Sequence, residues 1–232
     1  MGNPIGRRLS LDEERRDAMI AAALTANVGM HELQMRLYSQ REPLDEKQKE
    51  AINSHPQRGV ELLRLAGVGS DLWLETILQH HERIDGHGYP AGLSGDEFIV
   101  EARIVAIADR YHAMVSGREH RRGLVPRAAL KKLFMEDGGA IDNELAQLFI
   151  KEVGIFPPGS FIKLARGERG IVVRRGENAA LPQVAVLQGL DGQAYMQPLL
   201  RQTDGGENAI KGLEAPPEQL PFHLGYIWGY KD

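Results

Sequence analysis

The sequence predicts a mostly α protein, a helical bundle followed by a small antiparallel β unit, and three observations predict it. From Leu11 to about Gly154 apolar residues recur at helical intervals, as in Met19, Ile20, Ala23, Leu24 and again in Val60, Leu62, Leu63, Leu65. Past Phe156-Pro157-Pro158-Gly159 the texture changes to SFIKLARGERGIVVRR and QVAVLQGLDGQAYMQPLL, β-branched and alternating stretches separated by Gly-containing turns. The chain has 232 residues, 42% hydrophobic and 26% charged, which suffices for a buried core and leaves no low-complexity tract.

Taken in order, helices are expected near 11–27, 45–54, 56–66, 71–83, 98–116, 126–136 and 142–153. Ser10 before LDEE and Ser70 before DLWLE are N-cap candidates, and Pro56 suits a first helical turn. The organisation expected is a helical domain at 10–154, a β unit at 155–202 and an extended tail at 203–232 whose aromatics dock.

Charge and composition narrow the function. Lys and Arg number 28 against 32 Asp and Glu, a net charge of −4, which argues against DNA binding by bulk charge. Without cysteine there is no disulfide and no thiolate site, so any metal must sit on nitrogen and oxygen ligands. No apolar run reaches the roughly 20 residues of a membrane helix, and the start lacks a signal-peptide core. A cytoplasmic protein with no membrane partner is expected.

One stretch carries chemistry: HHERIDGHGYP, from His80 to Pro90. Helical neighbours point about 100° apart, so His80 and His81 can address two centres along one wall. His55 opens a helix upstream. Asp109 sits after the apolar run Ile104–Ala108, where an ionised carboxylate needs a cation or strong donors. Taken singly, each is more simply a surface or hydrogen-bonded core residue. Together, His55, His80, His81 and Asp109 form a nitrogen and oxygen set suited to Fe, Mn or Zn. In the following loop, Asp85, Gly86, Gly88, Tyr89 and Pro90 combine glycine freedom, a rigid exit and a presented ring.

His55-Pro56, HHERIDGHGYPAGL at 80–93 and EARIVAIADRYHAM at 101–114 resemble the HD-GYP family, bacterial metal-dependent phosphodiesterases of cyclic di-GMP within the HD superfamily. The likeness runs from about Ala21 to Arg122. It implies an HD-type bundle with two or three metals, hydrolysis of a cyclic dinucleotide, and a motif loop near the metals that contacts GGDEF-type synthase domains. It also implies phosphate or guanine binding at Arg118 and Arg121, with Tyr89 on the ligand side. The family's His-Asp pair falls on Ala26 and Asn27 when the following glycine is aligned with Gly29, its lysine falls on Met30, and His112 stands where an aspartate is usual. Ala26 offers no donor, and a neutral amide cannot bridge two dications as a carboxylate does. One metal, or at most two, is therefore expected on His55, His80, His81 and Asp109, with Asp109 and Asn27 as the catalytic candidates. His31, a turn beyond Asn27 but across a glycine, is a weaker substitute. Only one helix is expected before Ala26, so a further wall of the bundle is expected from a homodimer partner or from residues outside this chain. Three readings follow: a degenerate member that binds metal, cyclic dinucleotide or protein with weak or no turnover, an active phosphodiesterase with a rearranged site, and, least favoured, an interaction scaffold without nucleotide binding.

Overall fold

In the computed structural model, residues 4–117, 123–136, 140–176, 178, 180–217 and 219–229 are described. The helices are α1 (Pro4–Arg8), α2 (Glu13–Thr25), α3 (His31–Ser39), α4 (Glu46–Asn53), α5 (His55–Leu65), α6 (Asp71–Gln79), α7 (Val100–Val115), α8 (Pro126–Glu136) and α9 (Asn143–Val153). A 3-10 turn at Val28–Met30 joins α2 to α3. The strands are β1 (Phe161–Leu164), β2 (Arg169–Arg174), β3 (Gln183–Gln188), β4 (Ala194–Gln202) and β5 (Ile210–Leu213). Contacts divide the chain into two units, Met1–Phe149 and Ile150–Asp232. Among the described residues, no helix is long and apolar enough to cross a membrane.

The helical unit is mostly α as expected, with local corrections. Asp12, not Ser10, caps α2, its carboxylate accepting from Arg15 N at 2.9 Å, while Ser10 has φ 56° and lies outside the helix. Ser70 does cap α6, accepting from Trp73 N. A short α1 also precedes α2, and α3 appears where no helix was expected. Ala22, Leu63, Leu74 and Ile77 from α2, α5 and α6 form one apolar core. Phe98, Ala102 and Ala106, at and along α7, form another with Ile84, Leu93 and Ile99 from the motif loop and its exit. Two polar ties fix α2: Arg15 Nε donates to the buried Glu101 carboxylate at 2.5 Å, and Trp73 Nε1 donates to Thr25 Oγ1 at 2.9 Å.

In the second unit the five strands run in the order β4-β3-β2-β1-β5, every neighbouring pair antiparallel. Both faces of the central strands are covered, which explains the continuous apolar runs IVV and VAVL. One face buries Ile162, Leu164, Val172, Val184 and Val186. The other buries Ile171, Val173, Ala185 and Leu187 beneath Leu220, Phe222, Leu224 and Ile227. The segment after Thr203, expected to be extended, contributes β5 against β1 and then returns across this second face. Trp228 Nε1 donates to Val173 O at 3.3 Å.

Candidate metal centre

Three imidazoles from two helices converge. His55 is the first residue of α5, and His80 caps the C-terminus of α6 with φ −66° and ψ −8°. His81 lies two residues past the last residue of α6, because the helix ends at Gln79 and not at residue 83. The separation of the two rings therefore comes from the helix exit and not from a continuous helical wall. His55, His80 and His81 each offer a ligand atom, all within 4.8 Å of one another.

The rest of the chain determines which atoms face inward. His55 Nδ1 donates to Ile52 O at 2.6 Å, and His80 Nδ1 donates to Ile77 O at 2.5 Å, since a carbonyl can only accept. Anchored in this way, each neutral ring turns an Nε2 lone pair inward. The two Nε2 atoms then face each other at 3.3 Å, and His81 Nε2 is buried with no partner. Two opposed lone pairs beside a third unpartnered nitrogen lack an electrophile, which a divalent cation would supply.

Electrostatics keep the rings neutral. Burial lowers His55 from 6.5 to about 4, with the His80 ring adding to it, while Ile52 O and the Asp109 charge oppose. Burial lowers His81 to about 2, helped by His80, His55 and Arg110. His80 is lowered as well, mainly by burial.

Access to His55 depends on a glycine. A Cβ placed on Gly29 would lie 2.1 Å from His55 O and 2.7 Å from Gly59 N, so the 3-10 turn and α5 meet backbone to backbone. Only glycine permits that approach.

Asp109, on α7, does not share the three-histidine cluster, which comprises His55, His80 and His81. Its charge is nonetheless felt by His55, His80 and Tyr89. Asn27 reaches it from the end of α2, Nδ2 donating to Asp109 Oδ1 at 3.4 Å, while Asn27 Oδ1 is buried without a partner. Ala26 is buried beside it and offers nothing. Asn27 and Asp109 line a cavity of about 510 Å³ whose other walls include Met35, Tyr38 and His112. His31 borders the same cavity and not the histidine cluster. Arg118 and Arg121 lie outside the described residues.

The motif loop folds back over His81. Tyr89 stacks on the His81 ring, with centroids 4.7 Å apart and planes at 20°, and its N–H donates to His81 O at 3.2 Å. Burial, and then the Asp109 charge, raises its phenol above the ordinary value. Asp85 accepts from Arg83 Nε at 2.9 Å and from His87 N at 3.1 Å, bonds that hold its carboxyl well below the usual range. A cavity of about 220 Å³ separates the loop from α7, bordered by His81, Tyr89, Arg103 and Arg110.

Sequence reasoning missed Glu82. Its side chain is 3% exposed, and its carboxylate accepts from Ala91 N at 2.7 Å and Leu93 N at 3.0 Å. The available signal was an acid directly after the histidine pair, with glycines downstream that leave loop amides accessible.

A family model described as HD domain matches residues 2–145. Over 136 residues the chain is 35% identical to a cyclic di-GMP phosphodiesterase of Pseudomonas aeruginosa, covering 58% of this chain and 33% of that protein. Over 152 residues it is 34% identical to the cyclic di-GMP phosphodiesterase response regulator RpfG of Xanthomonas campestris, covering 63% and 39%. Over 153 residues it is 28% identical to a 3'3'-cGAMP-specific phosphodiesterase of Vibrio cholerae, covering 66% and 33%. The chain thus spans between 33% and 39% of the length of these relatives. Among solved structures, an HDG"Y"P protein from Bdellovibrio bacteriovorus superposes with a TM-score of 0.51 at 20% identity, covering 62% of this chain and 45% of that one, a likeness of fold. Since the matched stretch takes in His55, His80, His81 and Asp109, and the curated relatives are cyclic-dinucleotide phosphodiesterases, the chain belongs to the HD domain family and resembles its HD-GYP members.

Proposed function

We propose that this domain binds one divalent cation, Fe, Mn or Zn, on His55, His80 and His81, recognises a cyclic dinucleotide beside it, and hydrolyses that ligand weakly or not at all. The observation that carries the reading is the donor set: three neutral imidazoles, and at Asp109 a neutral amide in place of a second carboxylate. One carboxylate compensates one dication partly and two dications poorly. When bound, the cation supplies Lewis-acid polarisation of a phosphoryl oxygen and lowers the pKa of water.

The chain's own groups then have definite parts. Asp109 and Asn27 form the polar edge of the 510 Å³ cavity, a size suited to a nucleotide-class ligand. Arg118 and Arg121 would fork onto phosphate or guanine, and Tyr89 would border the ligand. The names of the relatives support cyclic di-GMP as the dinucleotide. The exposed residues of the motif loop are the surface for a GGDEF-type partner domain, and a homodimer would complete the bundle wall. A cytoplasmic, bacterial setting fits such signalling.

A second reading, an active phosphodiesterase with a rearranged site, is favoured by the unpartnered Asn27 Oδ1, an oxygen still able to ligate or to orient water. There Asp109 would take the proton of the attacking water. Metal content measured with cyclic di-GMP binding and turnover, on the wild type and Asn27→Asp, separates the two. One metal, binding without turnover, and turnover gained in Asn27→Asp support the degenerate reading. Turnover by the wild type that is lost in His80→Ala supports the active one. Absence of both metal and nucleotide binding overturns both.

A further inference from the structure

We infer that Glu82 and Tyr89 together are the positioning device for the His81 ring, taking the place of the hydrogen bond that orients the other two histidines. The inference rests on the reading of the three histidines as a cation site. His55 and His80 each hand Nδ1–H to a carbonyl three residues back. No such bond exists for His81 among the described residues, and its Nε2 is buried without a partner. A metal-binding imidazole needs its ring plane fixed by something outside the metal. Among the described residues, the aromatic ring that stacks on His81 from outside the cluster is that of Tyr89, nearly parallel at 20° and 4.7 Å away.

A stacked ring can position its neighbour only if it is itself held, and Glu82 holds it. The two carboxylate oxygens of Glu82 accept the N–H groups of Ala91 and Leu93, just past Tyr89 and Pro90. Such bonds to an ionised acceptor are charge-assisted and offset the desolvation of a side chain only 3% exposed. On the near side of Tyr89 the loop is clamped sterically. A Cβ on Gly88 would lie 2.4 Å from Glu82 Cα and 2.5 Å from Arg83 N, so the loop backbone rests directly on the Glu82–Arg83 peptide. Between these anchors the Tyr89 N–H donates to His81 O. The loop thus returns to the dipeptide it left, and Tyr89 is fixed from both sides.

The test uses the full chain with Co(II) as the probe, titrated by visible absorption, together with NMR of the histidine rings in metal-free protein. In Glu82→Gln the amide NH₂ would confront one of the two loop N–H groups, and in Tyr89→Leu the stack is removed outright. Both variants are expected to bind Co(II) about 10- to 100-fold more weakly, with an altered absorption band and an unchanged far-UV spectrum. In the metal-free state the His81 ring signals should move while those of His55 and His80 stay. Tyr89→Phe, which keeps the ring, should bind Co(II) as the wild type does.

Co(II) binding within twofold of wild type in Tyr89→Leu or Glu82→Gln overturns the proposal, as does equal movement of all three histidine signals, the mark of general loosening. Should Glu82→Gln not fold, Tyr89→Leu decides by the same criteria. A wild type that binds no Co(II) overturns the cation reading instead, and the metal-free ring signals still judge the role of Tyr89.

Discussion

Substituting Gly29 by alanine tests how the backbone delivers His55 to the centre. The new Cβ would fall 2.1 Å from His55 O, where real Cβ contacts essentially never come under 3.0 Å, and the second contact, Gly59 N at 2.7 Å, blocks escape along α5. Because both obstacles are backbone, no side-chain rotation relieves them. The 3-10 turn and the first turn of α5 must separate by about 1 Å, a displacement that in packed protein costs about 1–3 kcal/mol. His55 leads that turn and its Nδ1 is tied to Ile52 O, so its ring moves with it, whereas His80 and His81 belong to α6 and its exit. A shift of about 1 Å exceeds the roughly 0.5 Å tolerance of a preorganised site. Gly29→Ala should therefore lose metal affinity by at least about tenfold, alongside a drop in Tm of several degrees. Calorimetric metal titration with thermal unfolding of the metal-free chain measures both. Unchanged metal affinity with a lowered Tm would refute the coupling of Gly29 to His55, and no change in either would refute the close approach itself.

Other outcomes follow from the same geometry. His55 sits near 4 when folded against 6.5 when unfolded, so the unfolded chain binds the extra proton between those values. The metal-free protein should hold full stability above pH 6.5 and lose it progressively toward pH 4, with a flatter profile in His55→Asn, as read by Tm against pH. Arg15→Ala leaves the Glu101 carboxylate, 1% exposed, without its cation. Because the Arg15 side chain is itself 43% exposed, the cost should be about 2 kcal/mol, below the ~3–5 kcal/mol of a fully buried pair, and a denaturant midpoint shift checks it. Phe222→Ala should destabilise the sheet unit by about 2 kcal/mol through loss of cover over Ile171 and Val173, visible as faster amide exchange in β2 and β3.

Much of this architecture was legible in the chain, and the parts that were not have physical reasons. The α5, α6 and α7 helices have strong apolar stripes, and the motif order brought His55, His80 and His81 into one group before any geometry was known. The α3 helix escaped notice because HELQMRLYS buries only Leu37, leaving almost no periodic apolar face to read. Ser10 and Asp12 are both good capping residues two positions apart, and local preference alone does not choose between them. β5 is a four-residue strand, IKGL, too short and too glycine-interrupted to announce itself, and its pairing with β1 is a long-range event. Asp109 was expected to close the histidine set. That expectation came from burial next to an apolar run, which says that a carboxylate needs a partner but not which one. Asn27 supplies one such partner.

The return of residues 220–227 across the sheet has a bearing on biosynthesis. During translation β1 to β4 emerge with Ile171, Val173, Ala185 and Leu187 still uncovered, and they stay so until the stretch through Ile227 has left the ribosome. The second unit can therefore mature only after residues 220–227 have emerged. A nascent chain stalled short of Leu220 would present a sticky strand surface to chaperones.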